Sequence, residues 1–380
     1  LTKWIIRGSS SCCLAILVAC TPAKVQLNVV PLPNDMEIKT GFFEVDSAQF
    51  ANESMDKFIT CRIDSAFNRD LGEEGYNLSV SSGTIRLNAC TEKGAFYGKQ
   101  TLKQLLSSRG IPCVEIKDAP RFSYRGLHID VSRHFFPKEE IIKLLDEMAY
   151  YKLNKFHFHL TDNGGWRIQI DKYPRLTSMG AFRTQCEWVE WWDKKDRTYL
   201  PEGTPNAYGG YYTKEDIREI LAHAEKLHIE VIPEIEFPAH SDEVFIGYPE
   251  LCCTGKPYTS GEFCAGNERT YTFMENVLTE IIDLFPSEYI HIGGDEARKI
   301  AWKTCSKCQT LMEKEGLKDL EELQCYMIAR MEAFLTSKGK RMIGWDEVLN
   351  NHLAPTSTII SYRGQETACL LNTSDAADEL

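Results

Sequence analysis

The sequence predicts an α/β protein in which a (β/α)8 TIM-type barrel, incomplete here with about six strands, follows a small α+β domain. Three observations lead to this fold class. From Tyr124 onward, short apolar segments alternate with amphipathic helical segments, which is the pattern of a parallel sheet with helical crossovers. Polar residues follow each apolar segment, as they do where the C-terminal ends of barrel strands form a site. Before about residue 118 that alternation is missing.

The small α+β domain is predicted to span residues 21–118. The segment GYNLSVSSGTIRLNACT alternates apolar and polar residues on both sides of Ser82-Gly83, which indicates a hairpin. The next segment, KGAFYGKQTLKQLLSS, places apolar side chains at helical spacing. A short strand, CVEIKDAP, closes the domain and leads into a linker at Asp118-Ala119-Pro120.

The barrel is predicted to span residues 119–366. Its helices are predicted at Lys138 to Tyr151, Lys214 to Leu227, Thr270 to Phe285 and Leu320 to Lys338. Thr213 precedes the second helix with Asp216 three residues later, which is typical of a capping box. The predicted strands are RGLHIDVS, NKFHFHLTD, IEVIPEIEF, EYIHIGGDE, RMIGWDE and STIISYRG.

Two adjacent carboxylates, Asp295 and Glu296, follow the apolar run of the fourth predicted strand. Burying either one without a partner is costly, so their position requires an explanation. One interpretation is a helix start, with Asp295 as the N-cap of a helix through Arg298 and Trp302. The other is a catalytic pair at the C-terminal end of a barrel strand.

Composition and the N-terminal segment restrict the partners and the location of the protein. The net charge of -12 argues against nucleic acid as a partner. The sequence has no run of 18 apolar residues, so no membrane-spanning helix is predicted. Lys3 and Arg7 precede an apolar stretch that ends in Leu17-Val18-Ala19-Cys20, which resembles a bacterial lipobox. We therefore expect residues 1–20 to be a lipoprotein-type signal peptide, with an ordinary signal peptide as the alternative. The protein would then be exported to the periplasm or cell surface, with membrane contact only through a lipid on Cys20.

The sequence contains 14 cysteines, a high number. Cys253 and Cys264 flank a loop that a disulfide between them would staple. Cys305-Ser-Lys-Cys308 has a spacing found in zinc sites, but a closed zinc site needs four ligands, and no second pair of this kind follows in the sequence. A local disulfide or two free thiols is therefore the expectation, and no metal site is predicted.

Five segments together resemble glycoside hydrolase family 20, the β-N-acetylhexosaminidases, in bacterial form. These segments are RGLHIDVSRHFFP, KFHFHLTDNGGWR, VIPEIEFPAHS, HIGGDEA and IGWDE, and the resemblance runs from about residue 26 to residue 365. It implies exo-acting release of terminal β-linked N-acetylhexosamine, either GlcNAc or GalNAc, from glycans. It also implies a retaining mechanism in which the substrate's own acetamido group is the nucleophile, without a cofactor or a metal.

The same resemblance implies roles for individual residues. Glu296 matches the general acid that later acts as the base for water, and Asp295 matches the carboxylate that orients the acetamido N–H and stabilises positive charge. The implied substrate-binding and supporting residues are Arg125 for the sugar's 3- and 4-hydroxyls, Asp162 and His240 beside the catalytic pair, and Trp345 and Tyr362 as aromatic walls. Glu234, Trp166 and Arg167 are expected to be scaffold.

Some positions depart from the family pattern. The family usually has a second aspartate where Asn163 stands, commonly an aspartate at Glu236, and often a tryptophan at Tyr362. The resemblance fades after Gly364, so residues 367–380 are expected to be a non-native tail on a truncated barrel. Because six strands cannot close a barrel of eight, the chain as printed is expected to be inactive or nearly so.

Two other functions remain open at this point. One is a non-catalytic glycan-binding protein or an inactive homologue. The other is a metal-dependent barrel hydrolase, because His157 and His159 lie on one face of a predicted strand, as a metal-binding pair would.

Overall fold

The computed structural model describes residues 27–46, 50, 55–66, 69–194, 196–348 and 357–364. These residues form two hydrophobic cores, one for each of two successive sheets. The predicted signal peptide with Cys20 and the predicted tail at 367–380 lie outside the described residues. None of the helices in the described part of the chain is long and apolar enough to span a membrane.

The first sheet has five strands in the order β1-β5-β3-β4-β2 and is mixed in direction. One face carries a helix, α1, whose N-cap Thr91 accepts a hydrogen bond from the Gly94 N–H. The elements are β1 (Asp35–Phe43), β2 (Ile59–Ile63), β3 (Tyr76–Val80), β4 (Ile85–Ala89), α1 (Glu92–Leu105) and β5 (Ile111–Asp118), with 3-10 turns at Met55–Lys57 and Arg69–Leu71.

The predicted hairpin is strands β3 and β4, joined through the backbone bond from Ser81 N–H to Thr84 O. Its alternating residues Tyr76, Leu78 and Val80 are buried beneath α1, as the apolar and polar alternation requires. Gly98 lets α1 approach this sheet, because a Cβ at this position would collide with Leu87. Strands β1 and β2 were not predicted, since most of their side chains are exposed.

The second sheet has six strands in the order β6-β7-β12-β13-β14-β15, and every pairing in it is parallel. The α/β class, the six barrel strands and the preceding small domain are thereby confirmed. The strands are β6 (Gly126–Asp130), β7 (Lys155–His159), β12 (Glu230–Glu234), β13 (Tyr289–His291), β14 (Arg341–Trp345) and β15 (Thr358–Ile360).

Helices cover the outer face of this curled sheet and bury its apolar residues. The predicted capping box is present, since Thr213 Oγ1 accepts from the Asp216 N–H and the Asp216 carboxylate accepts from the Thr213 N–H. The main helices are α2 (Lys138–Tyr150), α5 (Lys214–Lys226), α7 (Glu268–Leu284), α8 (Ser306–Glu315) and α9 (Leu320–Ser337).

Two long connections on the C-terminal side of the sheet contain short elements that the sequence did not reveal. These connections follow β7 and β12. Each of their short elements has too few residues to show the hydrophobic periodicity of a helix or a strand. They comprise β8 (Thr161–Asp162), β9 (Gly165–Trp166), α3 (Arg175–Gly180), β10 (Phe182–Arg183), α4 (Trp188–Asp193), β11 (Tyr208–Gly209), α6 (Asp242–Gly247) and the 3-10 turn Pro249–Leu251; a further 3-10 turn, Asp346–Val348, follows β14.

The two sheets are joined by a buried polar contact at the N-terminal side of the barrel strands. Lys152 Nζ lies 3.1 Å from Asp118 Oδ2 and donates to the Tyr76 hydroxyl at 3.0 Å. Asp118 ends the last strand of the small domain, so the linker runs directly over this contact. The junction therefore lies at the end of the barrel opposite to the polar residues that follow the strands.

Candidate active site

Polar and aromatic side chains from all six barrel strand ends converge on one pocket. Because the strands are parallel, their C-terminal ends lie at the same edge of the sheet. The pocket has a volume of about 180 Å³ and is lined by His128, Arg133, His159, Asp162, Glu236, Asp295, Trp345 and Tyr362. A single pyranose-sized group is what a pocket of this size and polarity suits.

Asp295 and Glu296 stand on an irregular turn that follows β13. Gly293 and Gly294 adopt φ of 67° and 100°, which a side chain rarely tolerates, and a Cβ at Gly293 would collide with the Glu236 carboxylate. The turn places the Asp295 side chain in the pocket with 16% exposure, whereas the Glu296 side chain is 63% exposed at its mouth. The helix-start interpretation is wrong, since the next helix begins only at Ser306.

His240 lies between these two acids and a third one. Its Nε2 is 3.6 Å from Asp295 Oδ2 and 3.4 Å from Glu296 Oε2, and its Nδ1 is 3.3 Å from Asp162 Oδ1. Burial alone would lower the pKa of His240, but Asp162 and Asp295 outweigh it and raise the pKa to about 10. The side chain is therefore an imidazolium at neutral pH, held in place by Asp162 and directed at the acid pair.

Arg133 completes a chain of alternating charges that the sequence analysis did not identify. Its Nη2 lies 2.6 Å from Asp162 Oδ2, and its Nη1 donates to Asp130 Oδ2 at 2.7 Å. Burial would raise the pKa of Asp162, but His240, His159 and Arg133 hold it below its ordinary value. Asp162 is thus an ionised carboxylate whose two oxygens are both occupied by cationic or N–H partners.

Arg125 is the one predicted site residue that the structure places away from the pocket. It precedes β6 and so lies at the N-terminal end of the strand, where its Nη2 pairs with Glu74 Oε2 of the small domain at 2.8 Å. Its other nitrogens donate to the carbonyls of Lys152 and Phe122. The expectation that Arg125 holds sugar hydroxyls is therefore wrong, and the arginine in the pocket is Arg133.

Glu234 is the centre of a buried imidazole cluster under the pocket. Its carboxylate lies 2.8 Å from His157 Nε2 and 2.9 Å from His291 Nδ1, and it also contacts His159 Nδ1. Burial would raise the pKa of Glu234, but these histidines hold it well below its ordinary value. The indole N–H of Trp345 donates to Glu234 Oε1 at 3.0 Å, so the cluster also orients that ring.

The same cluster bears on the alternative of a metal-dependent hydrolase. His157 and His159 do share a face, and the nitrogens that they direct inward contact the Glu234 carboxylate. Burial lowers the pKa of His157 to about 4, despite Glu234 beside it, whereas the pKa of His159 is raised well above its ordinary value by Glu234 and Asp162 in spite of burial. The histidine pair thus serves to fix a carboxylate.

Glu236 faces the pocket from the strand end next to Glu234. Burial, together with the negative charges of Asp295, Glu234 and Asp162, raises its pKa well above the ordinary value. These surroundings favour the protonated form of the carboxyl, and its Oε2 has no hydrogen-bond partner among the described residues. A neutral carboxyl in this place can donate a hydrogen bond to a ligand in the pocket.

Two aromatic side chains form one wall of the pocket. The rings of Trp345 and Tyr362 meet edge to face with their centroids 5.7 Å apart. The Tyr362 hydroxyl donates to Glu347 Oε1 at 2.6 Å, and Glu347 Oε2 accepts the backbone N–H of Glu296 at 3.2 Å. The wall is thereby linked to the turn that carries the acid pair.

Arg167, expected to be scaffold, is buried and donates to five backbone carbonyls, those of Val131, Ser132, Gly164, Ala181 and Gly210.

A wider groove of about 1000 Å³ opens beside the pocket, with Arg133, His240 and Glu296 on its lining. Trp188 and Trp192 in this groove are stacked, with centroids 5.1 Å apart and planes at 15°. Both rings are half-buried, and the Arg197 guanidinium lies 3.6 Å from the centroid of the Trp192 ring. Glu296 thus lies at the boundary between a small polar pocket and a larger aromatic groove.

The structure brings together six of the seven residues predicted to form the site, namely Asp295, Glu296, Asp162, His240, Trp345 and Tyr362. The pocket residues that were not assigned to it are Arg133, His128 and His159, together with Glu236, which was named only as a departure. All of these except His128 stand at or after the last residue of a strand, so strand direction was the signal that could have found them.

Fold and site define the class of the protein as a (β/α) barrel with a carboxylate-rich pocket at the C-terminal strand ends, preceded by a small α+β domain. Within that class the chain belongs to glycosyl hydrolase family 20. The model of that family's catalytic domain matches residues 122–377, and the model of its domain 2 matches residues 48–119.

Individual relatives agree with this membership. The chain is 37% identical to a β-hexosaminidase of Porphyromonas gingivalis over 96% of its length, and 40% identical to a β-hexosaminidase of Vibrio furnissii over 80%. It covers 52% and 50% of these relatives and so spans about half their length.

Solved structures give the same result. The exo β-N-acetylglucosaminidase of Vibrio harveyi in complex with N-acetylglucosamine superposes with a TM-score of 0.80 at 32% identity, over 91% of this chain and 59% of that one. The β-N-acetylhexosaminidase of Bacteroides fragilis superposes with a TM-score of 0.76 at 30% identity, over 91% and 73%.

Proposed function

We propose that the protein is an exo-acting β-N-acetylhexosaminidase that removes terminal GlcNAc or GalNAc from glycans by substrate-assisted, retaining catalysis. One observation carries the mechanism: the two acids that the pocket offers for chemistry are adjacent in the chain. Neighbouring Cα atoms lie about 3.8 Å apart. Two carboxyl groups that flank a sugar in an ordinary retaining site need about 5–5.5 Å between them on opposite sides of the anomeric carbon.

The other acids of the pocket are poor candidates for an enzymic nucleophile. Asp162 is buried and paired with Arg133 and His240, and the surroundings of Glu236 raise its pKa and so favour its protonated form. A nucleophile must be ionised and free to reach the anomeric carbon. The 2-acetamido oxygen of the substrate meets that need, which agrees with the N-acetylhexosamine named for the structural relatives.

In this mechanism Glu296 acts as the acid and then as the base. Its position at the mouth of the pocket suits contact with the glycosidic oxygen, where one sugar ends and the rest of the glycan begins. The acetamido oxygen forms a bond to C1 while the C1–O bond breaks and the leaving oxygen takes the Glu296 proton. Water then attacks C1, returns a proton to Glu296 and opens the oxazolinium ring, so the configuration is retained.

Asp295 stabilises the positive charge that develops on the acetamido group. Its side chain projects into the pocket rather than toward the groove, so it can accept the acetamido N–H. A fixed carboxylate next to the oxazolinium ion is an electrostatic contribution that needs no reorganisation during the reaction. His240 acts as a positioning residue, because its imidazolium contacts both acids and is itself fixed by Asp162.

Arg133 and Trp345 would bind the sugar itself. The Arg133 guanidinium faces the pocket and is 34% exposed, which leaves N–H groups available for ring hydroxyls. Trp345 is held by Glu234 with its ring on the pocket wall, where it can pack on the apolar face of a pyranose. Arg133 thereby takes the hydroxyl-binding role that the sequence had suggested for Arg125.

The direct test is to assay the full-length protein on aryl N-acetyl-β-glucosaminide and aryl N-acetyl-β-galactosaminide, with the plain aryl β-glucoside as control. We expect turnover of at least one N-acetyl substrate, with the β-anomer as the first product in an NMR time course. Equal cleavage of the plain glucoside would show that the acetamido group takes no part. An α-anomeric first product would exclude retention.

We also propose that the protein is exported as a lipoprotein, which the charged and apolar segments before Cys20 support. Labelling cells with an alkyne fatty acid should mark the wild-type protein and leave the Cys20→Ser variant unmarked. Labelling of both, or of neither, would contradict lipidation at this cysteine.

A further inference from the structure

We propose that Cys253, Cys264, Cys305 and Cys308 form a structural zinc site outside the sugar pocket. The four sulfur atoms all lie within 4.8 Å of one another. Two of them come from the connection after β12, and the other two from the start of α8. Thiolate sulfur is the ligand that structural zinc prefers, and four such ligands complete its tetrahedral coordination.

The distances between the sulfur atoms fit this assignment. Cys253 Sγ lies 3.7 Å from Cys308 Sγ, and Cys264 Sγ lies 3.7 Å from Cys305 Sγ and 3.8 Å from Cys308 Sγ. A tetrahedron with zinc–sulfur bonds of about 2.3 Å has sulfur–sulfur edges of about 3.8 Å. The observed separations are therefore those of four ligands around one ion.

Disulfide bonds account for the cluster less well. A disulfide brings two sulfur atoms to about 2.05 Å and leaves each with one partner. Here Cys264 and Cys308 each contact two other sulfurs at nearly equal distances, and all four cysteines are free. Of the two alternatives expected for Cys305 and Cys308, a local disulfide or two free thiols, this geometry lacks the disulfide, and it also lacks a staple between Cys253 and Cys264.

The backbone around the cluster is suited to thiolates. Cys305 is the N-cap of α8 and Cys308 lies in its first turn, where the helix dipole favours negative charge. The Gly266 N–H donates to Cys308 Sγ. Gly266 permits this close approach of two chain segments, because a Cβ there would collide with the Lys307 carbonyl.

The location gives the site a purpose that rests on the proposed function. The Trp302 indole N–H donates to the Phe263 carbonyl at 2.8 Å, and the Arg298 N–H donates to Glu262 Oε1 at 2.9 Å. A zinc ion bound next to these contacts would clamp the segment that follows the acid pair to the connection that carries His240. With four sulfur ligands no position stays open for water, so the ion holds the fold and takes no part in the chemistry.

The test uses the full-length protein, purified without chelators or added thiols. We expect one equivalent of zinc by elemental analysis, and its release when an organomercurial modifies the cysteine thiols. Protein grown with cobalt in place of zinc should show the sulfur-to-metal charge-transfer absorption of a tetrahedral thiolate site. The proposal would be overturned if the protein bound neither zinc nor cobalt. This holds whether the four thiols are free or the intact mass shows the hydrogen loss of two disulfides.

Variants then assign the site to these cysteines. Cys264→Ser should lose at least nine-tenths of the bound metal and melt at a lower temperature. The matched controls are Cys113→Ser, at a buried free cysteine in the small domain, and Cys186→Ser, at an exposed one, and both should keep the full metal content. Full zinc in Cys264→Ser would overturn the assignment. If that variant does not fold, the cobalt spectrum of the wild type still decides the question. Because none of these measurements uses hydrolysis, a failure of the proposed activity would leave their outcome unaffected.

Discussion

Replacing His240 with glutamine tests whether a charged imidazole holds the acid pair in place. In the folded protein the pKa of His240 is about 10, against an ordinary value of 6.5, because Asp162 and Asp295 outweigh its burial. That interval corresponds to at most about 5 kcal/mol of preference for the imidazolium in the folded state. Glutamine keeps a similar reach but carries no charge.

The pH dependence has a definite sign. Because the folded-state pKa is raised, the stabilisation from His240 is complete below about pH 6.5 and is lost as the pH rises through about 10. The acidic groups that face the ring are Asp162, Asp295 and Glu296, together with the buried Glu243, whose pKa is raised by burial and by Asp162. Asp162, whose pKa is held below its ordinary value, stays charged across this range, while the charge of His240 disappears.

The assay is urea unfolding of wild type and His240→Gln at about pH 6, 8 and 10. We expect wild type to be the more stable by a few kcal/mol at the lowest pH, and the difference to shrink toward the highest. His223→Gln is the control, since His223 pairs with Asp146 at the protein surface, where such pairs contribute little. A difference between wild type and His240→Gln that stays constant over the whole range would refute the reasoning.

Two further outcomes follow from the site. In steady-state kinetics, Glu296→Gln should slow substrates with poor leaving groups far more than activated aryl substrates, because a good leaving group needs little protonation. Asp295→Asn should slow both kinds of substrate. If the two variants show the same dependence on the leaving group, the assignment of their roles is wrong. Arg133→Met should lower kcat/KM by about ten- to a hundredfold. Arg125→Met should mainly lower the melting temperature. The opposite pattern would indicate that Arg125, and not Arg133, binds the sugar.

The sequence was informative where local pattern and fold agree. The alternation of strands and helices predicted the parallel sheet, and Thr213 with Asp216 predicted a helix start that the structure contains. Strands β1 and β2 were missed because exposed edge positions carry no hydrophobic alternation. Asp295 resembled a helix cap, since a sequence does not show that the two preceding glycines turn the chain into a pocket.

Two errors have a clear physical origin. Arg125 and Arg133 stand at opposite ends of one strand region, and only the direction of β6 shows that the first points to the small domain and the second to the pocket. The cysteine cluster combines residues that are 41 to 55 positions apart in its contacting pairs, so spacing within one short motif could not reveal it. Both errors concern which residues lie close together in the folded chain, and local residue patterns do not show this.

The close contact between Gly293 and Glu236 has a consequence for how this site can change over generations. Gly293 has φ of 67° and no room for a Cβ, because the Glu236 carboxyl occupies that space. A larger residue at Gly293 is therefore tolerable only after Glu236 has become shorter, and only with some backbone strain. The substitution at Glu236 must therefore precede the one at Gly293. Because this order is fixed, the turn that carries the acid pair changes slowly even where the surrounding loops diverge.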